Sequence, residues 1–196
     1  MNQDWSQLPD LASRRLGGGV LASSDEFFAE QENLIRPQPP EYRPYTFTNK
    51  GQEYDGWETR RKRRDPVDHD WVIIRLGIPG IVHTVVVDTA FFTGNYPPFA
   101  SVEGCSVDGY PAPDELLAQE WATVVPRSPL AGDTKNVFTV DSAERYTHVR
   151  LRIYPDGGVA RLRVHGSPVP DPTWLTGRPF DLAALANGGS AAECSR

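Results

Sequence analysis

Between Thr147 and Tyr154, apolar Val149, Leu151 and Ile153 alternate strictly with His148, Arg150 and Arg152. That two-residue period belongs to a strand with one buried face and excludes a helix. In a second run, Val159 to His165, Leu162 and Val164 flank Arg161 and Arg163, while Val159 falls out of phase as at a bulge. Pro155-Asp156-Gly157-Gly158 separates the runs. Proline presets φ, aspartate closes an Asx-type turn and both glycines accept positive φ, so the two runs are predicted to pair as a β-hairpin.

Trp71 to Leu76, Val82 to Asp88, Ala100 to Val107, Trp121 to Val125 and Asn136 to Val140 also read as strands, being short, rich in β-branched and aromatic residues and bounded by turn formers. The 17 glycines and 18 prolines are spread between these runs and do not form one linker. Helical signal is confined to Asp25 to Ile35, where Ser23 and Glu26 fit a capping box, and to pieces near Asp114 to Glu120 and Asp181 to Ala186. Many strands without a β-α alternation predict an all-β protein, an antiparallel jelly-roll β-sandwich with a few short helices. At 196 residues and 39 % hydrophobic composition, one such domain has enough chain for a real core. The proline-rich stretch Arg36 to Pro44 is predicted to run over the surface as a stiff connector.

Several function classes fall away. The longest apolar runs, such as Trp71-Val72-Ile73-Ile74, break within a few residues, so no segment is expected to span a membrane. Met1 to Trp5 has no basic-then-apolar leader pattern, which predicts a cytoplasmic protein. Cys105 and Cys194 are too few for a disulfide framework and lack neighbours at metal-ligand spacing. A net charge of -6 argues against nucleic acid or anionic lipid and favours small molecules or proteins as partners.

The densest polar segment runs from Tyr54 to Trp71 and holds five consecutive basic residues, Arg60 to Arg64. Asp55, Glu58, Asp65, Asp68 and Asp70 balance that run, so it reads as a solvated loop or a small-anion site; the planar fork of arginine suits a carboxylate. His69, beside Asp70, is a candidate acid or base titrating near neutrality, or a histidine that orders its loop. The other histidines follow no metal-ligand spacing, and no metal is expected. Asp88 ends a strand and Asn95 lies in the polar turn after it; both read as cleft residues or as turn formers. Asp10-Leu11-Ala12, Gly17-Gly18 and Ser24 recur at constant offset as Asp181-Leu182-Ala183, Gly188-Gly189 and Ser195, the pattern of an internal repeat whose second copy only begins.

With these segments in view, the sequence resembles the allantoicase family. The carrying residues are Asp55-Gly56-Trp57-Glu58-Thr59-Arg60-Arg61, His69-Asp70-Trp71, Val87-Asp88-Thr89, Phe92-Thr93-Gly94-Asn95-Tyr96-Pro97 and Arg152 to Val164. The resemblance implies a sandwich of galactose-binding or discoidin-like type. It implies a lead-in over 1–24, one repeat over 25–180 and the start of a truncated second repeat over 181–196. The implied activity is hydrolysis of allantoate to ureidoglycolate and urea in purine degradation, without a cofactor. A homo-oligomer or the missing second repeat would complete the enzyme. On this reading Arg60 or Arg61 binds the substrate carboxylate, Glu58, His69 or Asp88 does acid-base work, Asp70 orients His69, and Asn95 bonds a ureido group. The competing expectation is a non-catalytic galactose-binding-like module.

Overall fold

The computed structural model describes residues 5–62, 68–177 and 179–191; part of the basic run, Cys194 and Ser195 lie outside them. Its strands are β1 (Gly19–Ser23), β2 (Phe47–Thr48), β3 (Gly51–Gln52), β4 (Trp57–Glu58), β5 (Asp70–Asp88), β6 (Phe99–Cys105), β7 (Ala122–Pro129), β8 (Lys135–Thr139), β9 (Arg145–Tyr154), β10 (Gly158–Val159) and β11 (Arg161–Pro168). Two short helices, α1 (Pro113–Leu117) and α2 (Pro172–Leu175), and several 3-10 turns complete the chain. Among the described residues every strand pairing is antiparallel. Among the described residues no helix is long and apolar enough to cross a membrane.

The architecture turns on β5, which is 19 residues long and joins both predicted strands, Trp71 to Leu76 and Val82 to Asp88. Its first half pairs with β1 and β9, its second half with β11 and β8. Between the halves, the register with β9 shifts from Arg75 to Gly80. Bare backbone is required at this bend: a Cβ on Gly77 would come within 2.4 Å of the Leu16 carbonyl oxygen. Beyond β9 the first layer continues through β6 to β7. Alternate residues of both layers, Val72, Ile74, Val149 and Leu151 against Val85, Val87, Leu162 and Val164, meet in one buried core, so the chain is the expected antiparallel sandwich.

The predicted hairpin over residues 147–165 does not form. β9 and β11 each pair with a different half of β5, and the Pro155–Gly158 turn carries the chain from one layer to the other. Gly158 and Val159 leave to pair with β4, which explains why Val159 breaks phase with Leu162 and Val164. The helix expected over Asp25 to Ile35 shrinks to a 3-10 turn, Gln31–Ile35. The expected capping box does not form: the Ser23 hydroxyl donates to the Asp25 carbonyl (3.4 Å) and the Glu26 carboxylate accepts the Gln31 amide (3.0 Å), while the neighbouring Ser24 hydroxyl donates to Asp70 (2.7 Å). Tertiary contacts here outweigh local propensity.

The proline-rich connector is fastened from beneath by two arginines of β11. Arg161, 1 % exposed, donates to the carbonyls of Gln38 (3.0 Å) and Pro39 (3.3 Å) and to the Asp55 carboxylate (2.7 Å). Arg163 reaches the carbonyls of Pro37 and Gln38.

Segments 10–18 and 181–189 share a local conformation as well as residues. Asp10 accepts the Ala12 amide and Asp181 the Ala183 amide. Gly18 donates to Ser13 and Gly189 to Ala184, both at 3.0 Å, and Gly17 and Gly188 take φ of +92° and +88°. Their surroundings differ: Leu11 is fully buried, whereas Leu182 is 77 % exposed.

Candidate active site

Three segments far apart in sequence meet at one end of the sandwich. β4 buries the Trp57 ring in the core, so alternation turns Glu58 the other way, against the loop that follows β5. There Asn95 donates to the Glu58 carboxylate (2.8 Å). The Asn95 carbonyl in turn accepts the Gly158 amide (2.8 Å), and Thr59 and Gly157 exchange hydrogen bonds, which ties β4 to the Pro155–Gly158 turn. A Cβ on Gly158 would lie 2.0 Å from the Phe92 ring, so the close approach that places Glu58 beside Asn95 needs glycine there.

Asp156, in the same turn, is buried and accepts Arg61 Nη1 (2.9 Å) and the Lys62 amide (2.5 Å). Lys62 Nζ bridges Asp68 (2.8 Å) and Asp70 (3.1 Å). Arg61, Lys62 and Asp156 line an open cleft of about 480 Å³ together with Tyr96. The His69 ring lies against Tyr154, centroids 5.5 Å apart, and the Tyr154 hydroxyl bonds Ser101 (3.0 Å).

The electrostatics follow from this packing. Burial pushes the Glu58 carboxyl above its ordinary range, nearby Asp156 adds to that, and Asn95 and Arg61 only partly offset it. Burial, then the Arg152 guanidinium, push His69 below its ordinary value, so its imidazole is neutral at pH 7. Burial disfavours the Lys62 charge, but its bonds to Asp68 and Asp70 outweigh that and hold its pKa up. The cleft itself offers fixed cations, and beside it lie a carboxyl whose pKa burial raises and a neutral imidazole, groups suited to acid-base chemistry on a bound anion. Among the described residues no group of three or more His, Cys, Asp and Glu side chains is arranged to hold a metal ion.

The other expected site residues go elsewhere. Arg60 lies over the Phe27 ring at 4.2 Å, beside Asp25. The Asp70 carboxylate faces Ser24 and Lys62, while the His69 ring lies against Tyr154. Asp88 is buried, accepts the Ala90 amide (2.9 Å) and lines a different cavity. Sequence reasoning missed Asp156, Lys62 and Tyr154. The Asp-Gly-Gly turn was legible as a turn, but nothing in its spacing shows that its aspartate anchors Arg61, 95 positions away.

The same sandwich recurs in a chitosan-binding module from Paenibacillus sp., 17 % identical, with a TM-score of 0.51 over 81 % of this chain and 99 % of that one. Fold and site together define an antiparallel β-sandwich with a charged cleft on its end loops. A closer likeness is to the allantoicase structure from Saccharomyces cerevisiae: TM-score 0.74 and 36 % identity over 93 % of this chain and 54 % of that one. Residues 9–169 match the allantoicase repeat model. A probable allantoicase of Nocardia farcinica is 54 % identical over 97 % of this chain and 58 % of its own length. The chain belongs to the allantoicase family. It spans little more than half the length of the curated relatives it matches.

Proposed function

We propose that this chain is the first of two repeats of an allantoicase, hydrolysing allantoate to ureidoglycolate and urea. The observation that carries this reading is the buried Glu58–Asn95 pair beside the Arg61–Asp156 cleft, in a chain of this family. Replacing one ureido group by water requires an acid for the departing nitrogen, a base for the water and a cation for the carboxylate. Glu58, whose pKa burial raises, supplies the acid. Neutral His69 supplies the base. Arg61 is anchored to Asp156 through one nitrogen, and its remaining N–H groups bind the carboxylate. Asn95 orients Glu58 and bonds a ureido group, and no cofactor enters this scheme. Lys62 and Asp70 hold the segment that carries His69 in place. Asp88 stands outside this arrangement.

The shared conformation of 10–18 and 181–189 supports 181–196 as the opening of a second repeat. By the same correspondence residues 10–18 open the first repeat, a reading the match over 9–169 supports, so the expected lead-in of 1–24 shortens to the residues before Asp10. The acidic charge supports an enzyme with no nucleic-acid partner. A second reading, a carbohydrate-binding module, draws on the exposed rings of Tyr45 and Phe47; the 54 % identity to a probable allantoicase weighs against it. Urea release from allantoate by the two-repeat enzyme tests the proposal. Glu58→Gln is expected to lower kcat by about 10²–10⁴-fold, and unchanged turnover removes Glu58 from the scheme.

A further inference from the structure

A second cavity, of about 470 Å³, lies on the outer face of the β5–β11 layer, away from the core. Val86 and Asp88 of β5 and Arg163 and His165 of β11 form its floor; Pro37, Pro39 and Pro40 of the connector form one wall, and Leu185 another. That size suits a small molecule, and the walls are apolar apart from a few charged groups.

Most of those groups are already committed. Asp10 accepts the amides of Ala12 and Val164 and pairs with Arg163 (3.3 Å). Arg163 also donates to the carbonyls of Pro37 and Gln38. His165 Nδ1 donates to the Leu8 carbonyl (2.9 Å), and its ring meets Trp5 edge-on. Three groups remain available. Asp88, 4 % exposed, forms no ion pair within 4 Å among the described residues, and only its Oδ1 is engaged, by the Ala90 amide. Lys135, opposite Asp88 in the β5–β8 register, and Arg15 are likewise free of such pairs among the described residues. The floor thus offers a buried acceptor, and the lining adds two uncommitted cations.

We propose that this cavity binds a small carboxylic acid that also carries an amide-type NH₂ group. The NH₂ end donates to Asp88 and the carboxylate lies against Lys135 and Arg15. A simple anion would leave Asp88 unpaired beside a like charge, and a simple cation would meet Lys135 and Arg15; only a molecule with both ends matches the lining. The site is independent of the Glu58 cleft and stands or falls without it.

The test titrates this chain with succinamate, which has both ends, with butyrate, which has only the carboxylate, and with butyramide, which has only the amide, following backbone amide shifts. Saturable succinamate shifts at Val86, Lys135 and Leu185 are expected, at least about tenfold tighter than either single-ended probe, since one well-placed charged contact is worth that much. Lys135→Glu and Arg15→Glu should each abolish those shifts. Lys135 is exposed and the Arg15 side chain makes no ion pair among the described residues, so both variants are expected to keep the fold, which their spectra report. Equal binding of butyrate, shifts confined to Glu58 and Asn95, shifts surviving both variants, or no shift at millimolar succinamate would each overturn the proposal.

Discussion

At the scale of single residues, the fold depends on places where nothing larger than hydrogen fits. Gly158→Ala would drive a methyl group into the Phe92 ring, and a loss of at least about 1–3 kcal/mol of stability is expected in urea unfolding. An unchanged midpoint would show that Phe92 can move aside. His148 gives a second case. Burial, then Arg75, push its pKa down to about 4. The side chain is buried, with Nδ1 bonded to Thr147 (2.8 Å) and Nε2 without a partner among the described residues. As pH falls from about 6.5 toward 4, the unfolded chain takes up the proton before the folded one does, so stability is lost across that window and levels off below it. His148→Phe is expected to flatten that part of the stability-against-pH curve; a curve of unaltered slope would assign the acid sensitivity elsewhere.

At the scale of elements, Arg161 is the more deeply buried of the two arginines that hold the connector. Arg161→Met would take from the buried Asp55 carboxylate its closest cation and leave it the half-exposed Arg36 (3.3 Å) and the Glu41 amide, where Arg161 and these groups now keep it ionised against the pull of burial. Breaking a buried pair from one side costs about 3–5 kcal/mol, and guanidinium unfolding should show a loss of that size. A loss under 1 kcal/mol would mean that the connector is held by other contacts.

Elements are also where the sequence was most and least informative. β9 was legible because it alternates over a whole strand, and β6 and β8 because they are short, rich in β-branched and aromatic residues and bounded by turn formers. β5 was not, because Gly77-Ile78-Pro79-Gly80 has the composition of a turn, although here it is a bend inside one strand. The hairpin failed for a related reason: alternation shows that Val149 and Leu162 each face a core, but not which strand either pairs with. The site was legible only in part. Glu58 and Asn95 meet across 37 positions, and resemblance, not spacing, brought them into one list of candidates.

At the scale of the whole molecule, Leu182 separates one repeat from two. In this chain it is exposed, so Leu182→Ala should change stability by less than about 0.5 kcal/mol. In a two-repeat protein the same side chain takes the buried place that Leu11 holds here, and the substitution should cost about 2–5 kcal/mol by calorimetry or denaturant unfolding. Equal small effects in both proteins would sink the second-repeat reading.

The long strand β5 has one more consequence at this scale. Because its two halves belong to the two layers, neither layer can peel from the other while β5 remains intact. Whatever strain a bound molecule applies at the outer cavity reaches the opposite layer along a single covalent backbone. The sandwich is less a pair of plates than a folded ribbon with its crease at Gly77–Gly80.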